Sequence, residues 1–334
     1  TLHDIIMSNQ PLHTMLHGRW FETSYASSLW WNGGEPHSLF EHHLYVILAL
    51  LLPLYALFPT VHTLFLVQAF GVGIGALAVY LIAGHFAKSE YVSTCLGISY
   101  LLYPTIQGMT LNHWRFGFHP DTLFPTLLFF AFYFALKKRT SLTWLFVLAA
   151  LLCAEHLSLT VGAFGLYLLL TRRGQRLTGF SIAAAAAIWV ALAVLVIIPH
   201  FRGMPPRYVL DVLNAGGETH LDLLPTLSLL ALYAKYLFIP IAFTFLLDIP
   251  ALLLALPGLL LNVSARYVGY DPGYIPFSWR MAQLAPFLFL GAALGVSKLS
   301  VRPAGGRFGR RGAHVLATLI LLGTLSSSLV MGTL

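Results

Sequence analysis

Apolar and polar positions in this chain fall into long separate blocks. Leu44–Phe58 and Val61–Phe86 are apolar runs, and others follow at Tyr91–Tyr103, Leu123–Leu136, Leu142–Cys153, Phe180–Ile198 and on to Val315–Val330. None shows the two-residue alternation of a membrane barrel strand, so each predicts a helix. A crossing helix needs about 20 residues. The longer runs meet that length alone, and the shorter ones need their flanks. Residues 1–43 are polar, aromatic and rich in histidine, and hold no spanning run.

Composition fixes the class. Of 334 residues, 58% are hydrophobic and 9% are charged, where a soluble domain carries about 25% charged residues. So few charges cannot cover a water-exposed surface, which excludes a soluble enzyme, a disordered chain and a disulfide scaffold. The expected fold is all-α: one polytopic transmembrane domain over residues 1–334. Cys95 and Cys153 lie inside apolar runs and read as small buried hydrophobes.

The formal charge of +7 comes from basic residues grouped in four short loops, at 87–90, 137–141, 171–177 and 297–312. Among the acids only Glu90 is expected beside them. By the positive-inside rule these loops are cytoplasmic. Residues 1–43 then form the first extracytoplasmic loop, and most acids and histidines share that side. No basic stripe with interleaved aromatics is present, so nucleic acid is not an expected partner, whereas membrane lipids are. Parity adds a constraint. Between an outer loop 1–43 and an inner Lys88, the chain must cross an odd number of times, yet two apolar runs lie there. The shorter, 44–58, contains Pro53 and is expected to be re-entrant or interfacial. Residues 61–332 then supply about nine crossings. The localisation expected is integral to a membrane, a prokaryotic plasma membrane, with the site on the extracytoplasmic side.

Ionisable groups at membrane depth are costly and are functional candidates for that reason. Asp4, Asn9 and Gln10 form one group, Glu41-His42-His43 a second and His119-Pro120-Asp121 a third, while Glu155-His156 interrupts an apolar run. Asp4, Glu41 and Glu155 are the candidate catalytic acids or bases. Asn9, Gln10, His42, His119 and Asp121 are candidate substrate contacts, although Asp121 also suits a helix cap before Thr122. Lys235, Arg266 and Arg280 fall outside the basic loops and suit a phosphate. The histidines occur as adjacent pairs rather than at i, i+4, so no metal site is assigned and no cofactor is expected. A divalent ion bridging Asp4, Glu41 and a sugar phosphate remains an open alternative.

The ordered set Asp4…Asn9-Gln10…His17-Gly18-Arg19, Glu41-His42, Pro53 to Pro59, Tyr103-Pro104, Gln107-Gly108, Phe118-His119-Pro120, Glu155, Leu256-Pro257-Gly258 and Ala285-Pro286-Phe287 resembles an uncharacterised bacterial and archaeal membrane family. That family is known as a domain of unknown function and is grouped with the GT-C glycosyltransferases. The resemblance implies a GT-C-like fold, a first helix preceding Thr1, and Asp4 as the first acidic position of an outer loop. It also implies a polyprenyl-phosphate sugar donor as partner. The chain departs from the pattern at Asn9, Glu41, Gly117 and His156, where the family carries Asp. The expected activity is inverting sugar transfer at the extracytoplasmic face, with an acid such as Asp4 deprotonating the acceptor and Arg or Lys receiving the leaving phosphate. The alternatives are a proton-coupled transporter or lipid flippase, in which Glu155 and His156 relay protons, and a non-catalytic membrane subunit.

Overall fold

The structure is a computed structural model. It describes residues 3–24, 37–111, 117–206, 209–210, 227–228, 231–267, 278–300 and 306–330, with backbone only at 3–4, 111, 263–267, 279 and 306–308. The described chain is almost entirely helical. Helix α1 (His3–Leu16) leads into a two-stranded antiparallel hairpin, β1 (Glu22–Thr23) and β2 (His37–Ser38). Helices α2 (Ile47–Leu57), α3 (Val61–Ala87), α4 (Glu90–Leu102) and α5 (Pro104–Leu111) follow. Next come α6 (Phe124–Leu136), α7 (Thr140–Leu151), α8 (Ser158–Thr171) and α9 (Arg176–Leu192), the last prolonged through Ile198–Arg202. Helices α10 (Leu252–Tyr267), α11 (Ala285–Leu299) and α12 (Gly306–Val330) complete the bundle.

Four helical segments are long and apolar enough to cross a membrane: Val61–Ala87, Arg173–Arg202, Arg280–Leu299 and Gly309–Val330. Shorter apolar helices, among them Ile47–Leu57 and Thr140–Leu151, accompany them. The 11 residues of α2 extend about 16 Å at the helical rise, roughly half the hydrocarbon thickness. Residues 1–43, read from sequence as a loop, contain a formed helix, α1, that packs on α2 and on β1.

Helix α11 is the hub. Every side chain from Ala285 to Ser297 is buried, as expected of a helix that is apolar all round. The outer helices instead show lipid-facing stripes. Leu66, Phe70, Ile74 and Leu77 on α3, and Val315, Leu319 and Leu322 on α12, are exposed at helical spacing. Between helices in lipid there is little hydrophobic drive, so close packing must supply the contact energy. The α8–α9 pair does this through glycine: a Cβ on Gly165 would lie 2.6 Å from both the Ala183 nitrogen and the Gly179 carbonyl.

The basic loops meet at one end of the bundle. The Arg172 guanidinium and the Lys298 ammonium both lie over the Phe86 ring, at 5.5 and 5.4 Å, and Ser89 bonds His314 at 3.0 Å. The acid expected here was Glu90 alone. The structure corrects this: buried Asp248, in the tight turn after Thr244–Leu247, pairs with Lys298. The pair lies 50 residues apart in sequence and was hidden because Asp248 sits between two apolar runs. Breaking a buried ion pair on one side strands the other charge, at about 3 kcal/mol. Lys298→Ala is therefore expected to lower the thermal midpoint in detergent clearly. Adding Asp248→Asn to Lys298→Ala is expected to recover much of that loss in the same melt.

Candidate functional site

At the opposite end, four segments bring their polar residues together. Helix α7 rises from the basic loop at Arg139 and stops at Leu151; α8 returns to Arg172. The hairpin between them contains one 3-10 turn, Glu155–Leu157, entered through extended Ala154. Glu155 is fully buried. A buried carboxylate is tolerated only with partners on its oxygens. His43 Nδ1 lies 2.8 Å from Oε1, and the Leu44 backbone N–H donates to Oε2 at 2.9 Å. The Ile47 N–H donates to the Leu152 carbonyl at 2.8 Å, so the segment leading into α2 is fastened to the α7–α8 hairpin at two points.

His156 extends the cluster. Its Nδ1 is 3.7 Å from Glu155 Oε1, and its Nε2 is 3.0 Å from Asp121 Oδ1. Asp121, 1% exposed, lies on the 3-10 turn Pro120–Leu123 that precedes α6. It is not a helix cap: His119 holds that position, without a side-chain cap bond. His119 Nδ1 lies 3.9 Å from Asp121 Oδ2. The turn is clamped by Gln68 of α3, whose Oε1 accepts from the His119 N–H at 3.2 Å and from Thr122 Oγ1 at 3.4 Å. The Gln68 amide donates to the Thr110 carbonyl at 3.3 Å. The result is a line of alternating imidazoles and carboxylates, His43–Glu155–His156–Asp121–His119, at protein depth.

The sequence candidates divide accordingly. Glu155, Asp121 and His119 join one cluster, and His42 borders it, its ring centroid 4.4 Å from that of His43. Glu41 stands at the margin and pairs with His37 at 3.2 Å. Asn9 and Gln10 tie the scaffold: Tyr55 donates to Asn9 Oδ1 at 2.9 Å, and Gln10 bonds Thr23 and Ser24, each at 2.8 Å. The side chains of Asp4 and Arg266 lie outside the described residues. Arg280 is half-buried on the turn Trp279–Gln283, which packs against Pro120–Leu123. Lys235 is exposed, its ammonium 4.9 Å from the Tyr236 ring centroid.

Two contributors, His43 and Gln68, were missed from sequence as site residues, and His156 entered there only as a proton relay beside Glu155. His43 and His156 were visible as members of pairs, but adjacency gave no reason to join the two pairs. Gln68 had a signal that was passed over, an amide within an apolar run. The spacing argument against a metal also failed to anticipate the geometry. His43, Glu155 and His156 bring ligand atoms within 4.8 Å of one another, drawn from two separate segments.

Gly117 has a local explanation. Its φ is +71°, and a Cβ there would lie 2.8 Å from both the nitrogen and the Cβ of Ile5. Helix α1 thus rests against the strand of chain leading to Asp121, with Ser8 Oγ reaching the Phe118 carbonyl at 3.5 Å.

These features define an all-α integral membrane protein with a buried acid–imidazole cluster at one end of its bundle. A family model described as "Predicted membrane protein (DUF2079)" matches residues 3–332, and the chain belongs to that family. No curated protein and no solved structure matches the chain. Gly117→Ala is expected to destabilise by about 1–3 kcal/mol through positive φ and the Ile5 contact. Gly117→Asp should cost at least as much, read as a fall in thermal midpoint and faster proteolysis within residues 3–24.

Proposed function

We propose that the protein is a GT-C-type glycosyltransferase. It transfers a sugar from a polyprenyl-phosphate donor to an acceptor at the extracytoplasmic face of a prokaryotic plasma membrane, within a bundle of about nine crossings. The observation that carries this reading is buried Glu155, bonded on both oxygens and joined through His156 to Asp121. A protein that only fills a membrane has no use for two buried carboxylates at one end, because each is costly to bury.

Glu155 itself is enclosed, so the groups that meet an acceptor are the imidazoles at the rim. His43 and His156 retain 13% and 15% side-chain exposure. His43 takes the acceptor hydroxyl proton, and Glu155 behind it stabilises the imidazolium. The acceptor oxygen bonds to the anomeric carbon as the bond from that carbon to the phosphate oxygen breaks. The polyprenyl phosphate departs with the electron pair, received by Arg280 with Arg266 and Lys235. Asp4 is the acid the family resemblance adds to this set, and Glu41 orients the segment leading to His43. Purified protein supplied with labelled polyprenyl-phosphate sugar is expected to transfer label. Glu155→Gln and Asp121→Asn are each expected to reduce kcat by about 10²-fold or more, and Arg280→Ala to raise KM for the donor. Undiminished transfer by Glu155→Gln would remove the cluster from the mechanism.

The alternation of imidazole and carboxylate also favours a second reading, a proton-coupled transporter or lipid flippase, since such chains relay protons across short distances. Proteoliposomes separate the two. Uptake or lipid scrambling driven by a proton gradient, and abolished by Glu155→Gln, supports transport; label transfer without any gradient supports the enzyme.

A further inference from the structure

We infer that His43, Glu155 and His156 form a binding site for a divalent transition-metal ion of the zinc class. Three donor groups converge there: a ring nitrogen of His43, a carboxylate oxygen of Glu155 and a ring nitrogen of His156, all within 4.8 Å of one another. Two of the separations are 2.8 and 3.7 Å. Ligand atoms around a tetrahedral zinc are about 3.4 Å apart, from Zn–N and Zn–O bonds near 2.0–2.1 Å. Closing the set on an ion therefore takes side-chain shifts of about 1 Å or less, with no change of backbone. Two imidazoles and one carboxylate are a borderline-soft set that selects zinc-like ions over magnesium or calcium, and three protein ligands leave a coordination position open.

The surroundings give a second, independent reason. A metal-bound histidine characteristically has its other ring nitrogen against a carboxylate, which fixes the tautomer and raises the basicity of the ligating nitrogen. His156 has that arrangement, with Nε2 at 3.0 Å from Asp121 Oδ1. Nδ1 then faces Glu155 Oε1 at 3.7 Å, where a metal ion would take the place of a proton. A metal on the far side of His156 would also add to the charge that balances buried Asp121, whose oxygens contact His156 and His119. Glu155 Oε2 is already held by the Leu44 N–H, so Oε1 is the oxygen that offers itself as ligand. The turn that carries the acid and one imidazole is fastened to the segment carrying the other by the Ile47–Leu152 bond, so the set is preorganised. The inference does not rest on sugar transfer and is tested without any sugar donor.

Purified full-length chain, carrying no histidine tag and stripped with chelator, is titrated with cobalt(II) chloride in detergent. The expected result is one ion per chain with the visible band of a four- or five-coordinate nitrogen–oxygen site, displaced by zinc. Glu155→Gln is expected to abolish binding, and Asp121→Asn to weaken it 10–100-fold while leaving the stoichiometry at one. Wild-type chain that takes up no cobalt, or Glu155→Gln that binds as wild type does, would overturn the site. A thiolate charge-transfer band would move the metal to a cysteine and overturn it equally. Zinc-edge X-ray absorption on the wild-type protein requires no variant to fold. A nitrogen–oxygen shell with two imidazoles supports the assignment, and an all-oxygen or sulfur-containing shell refutes it.

Discussion

A carboxylate cannot be left unpartnered in a medium without water, and much of this molecule's outer architecture follows from satisfying Glu155. One oxygen requires His43 and the other the Leu44 backbone. Those two bonds, with that from Ile47 to Leu152, fix where α2 begins. Helix α2 then positions α1 through Tyr55 and Asn9, and α1 lies against Gly117, two residues before His119. The chain of support closes on Asp121, whose own demand for positive charge is met through His156. Polar burial therefore contributes specificity more than stability here, because an apolar replacement of similar shape would often be no less stable.

The two ends of the bundle handle charge differently. At the basic end, Arg172 and Lys298 both lie over one aromatic ring, that of Phe86. Among the described residues, buried Asp248 pairs there with Lys298. At the other end the carboxylates are enclosed, and their partners are imidazoles, which can hold or release a proton or ligate a metal. A lysine partner would have given permanent charge and a compact point contact. Histidine leaves the net charge of the cluster adjustable, which chemistry or transport needs and a structural brace does not.

Much of the fold was legible in the sequence because lipid simplifies the code. Blocks of apolar residues gave helices, and the grouping of Lys88, Lys137–Arg139, Arg172–Arg176 and Lys298–Arg311 predicted a common end for those loops; where the structure describes them, Arg172 and Lys298 do meet there. Glu155 announced itself by interrupting an apolar run. What stayed hidden were relations between segments. His43 and Glu155 are 112 residues apart, and no periodicity on either element points to the other. Gln68 was masked by its neighbours, since one amide scarcely alters the apolar average of α3. Asn9 and Gln10, prominent as polar residues in sequence, turned out to fasten α1 to α2 and to the hairpin.

Carboxylates in place of Gly117 and His156 would change what the cluster can be. Two further carboxylates would bring the acids near Asp121 and Glu155 to four, a set that favours hard oxygen-preferring cations or protonation to relieve repulsion. Glycine at 117 instead admits the backbone of α1, and histidine at 156 places an imidazole between the two acids, with Nε2 on Asp121 and Nδ1 toward Glu155. Both residues act in one direction: fewer negative charges, closer packing and a donor set of nitrogen as well as oxygen. Glycine and histidine at these positions give the site mixed donors, presented on the 3-10 turns that carry Asp121 and Glu155.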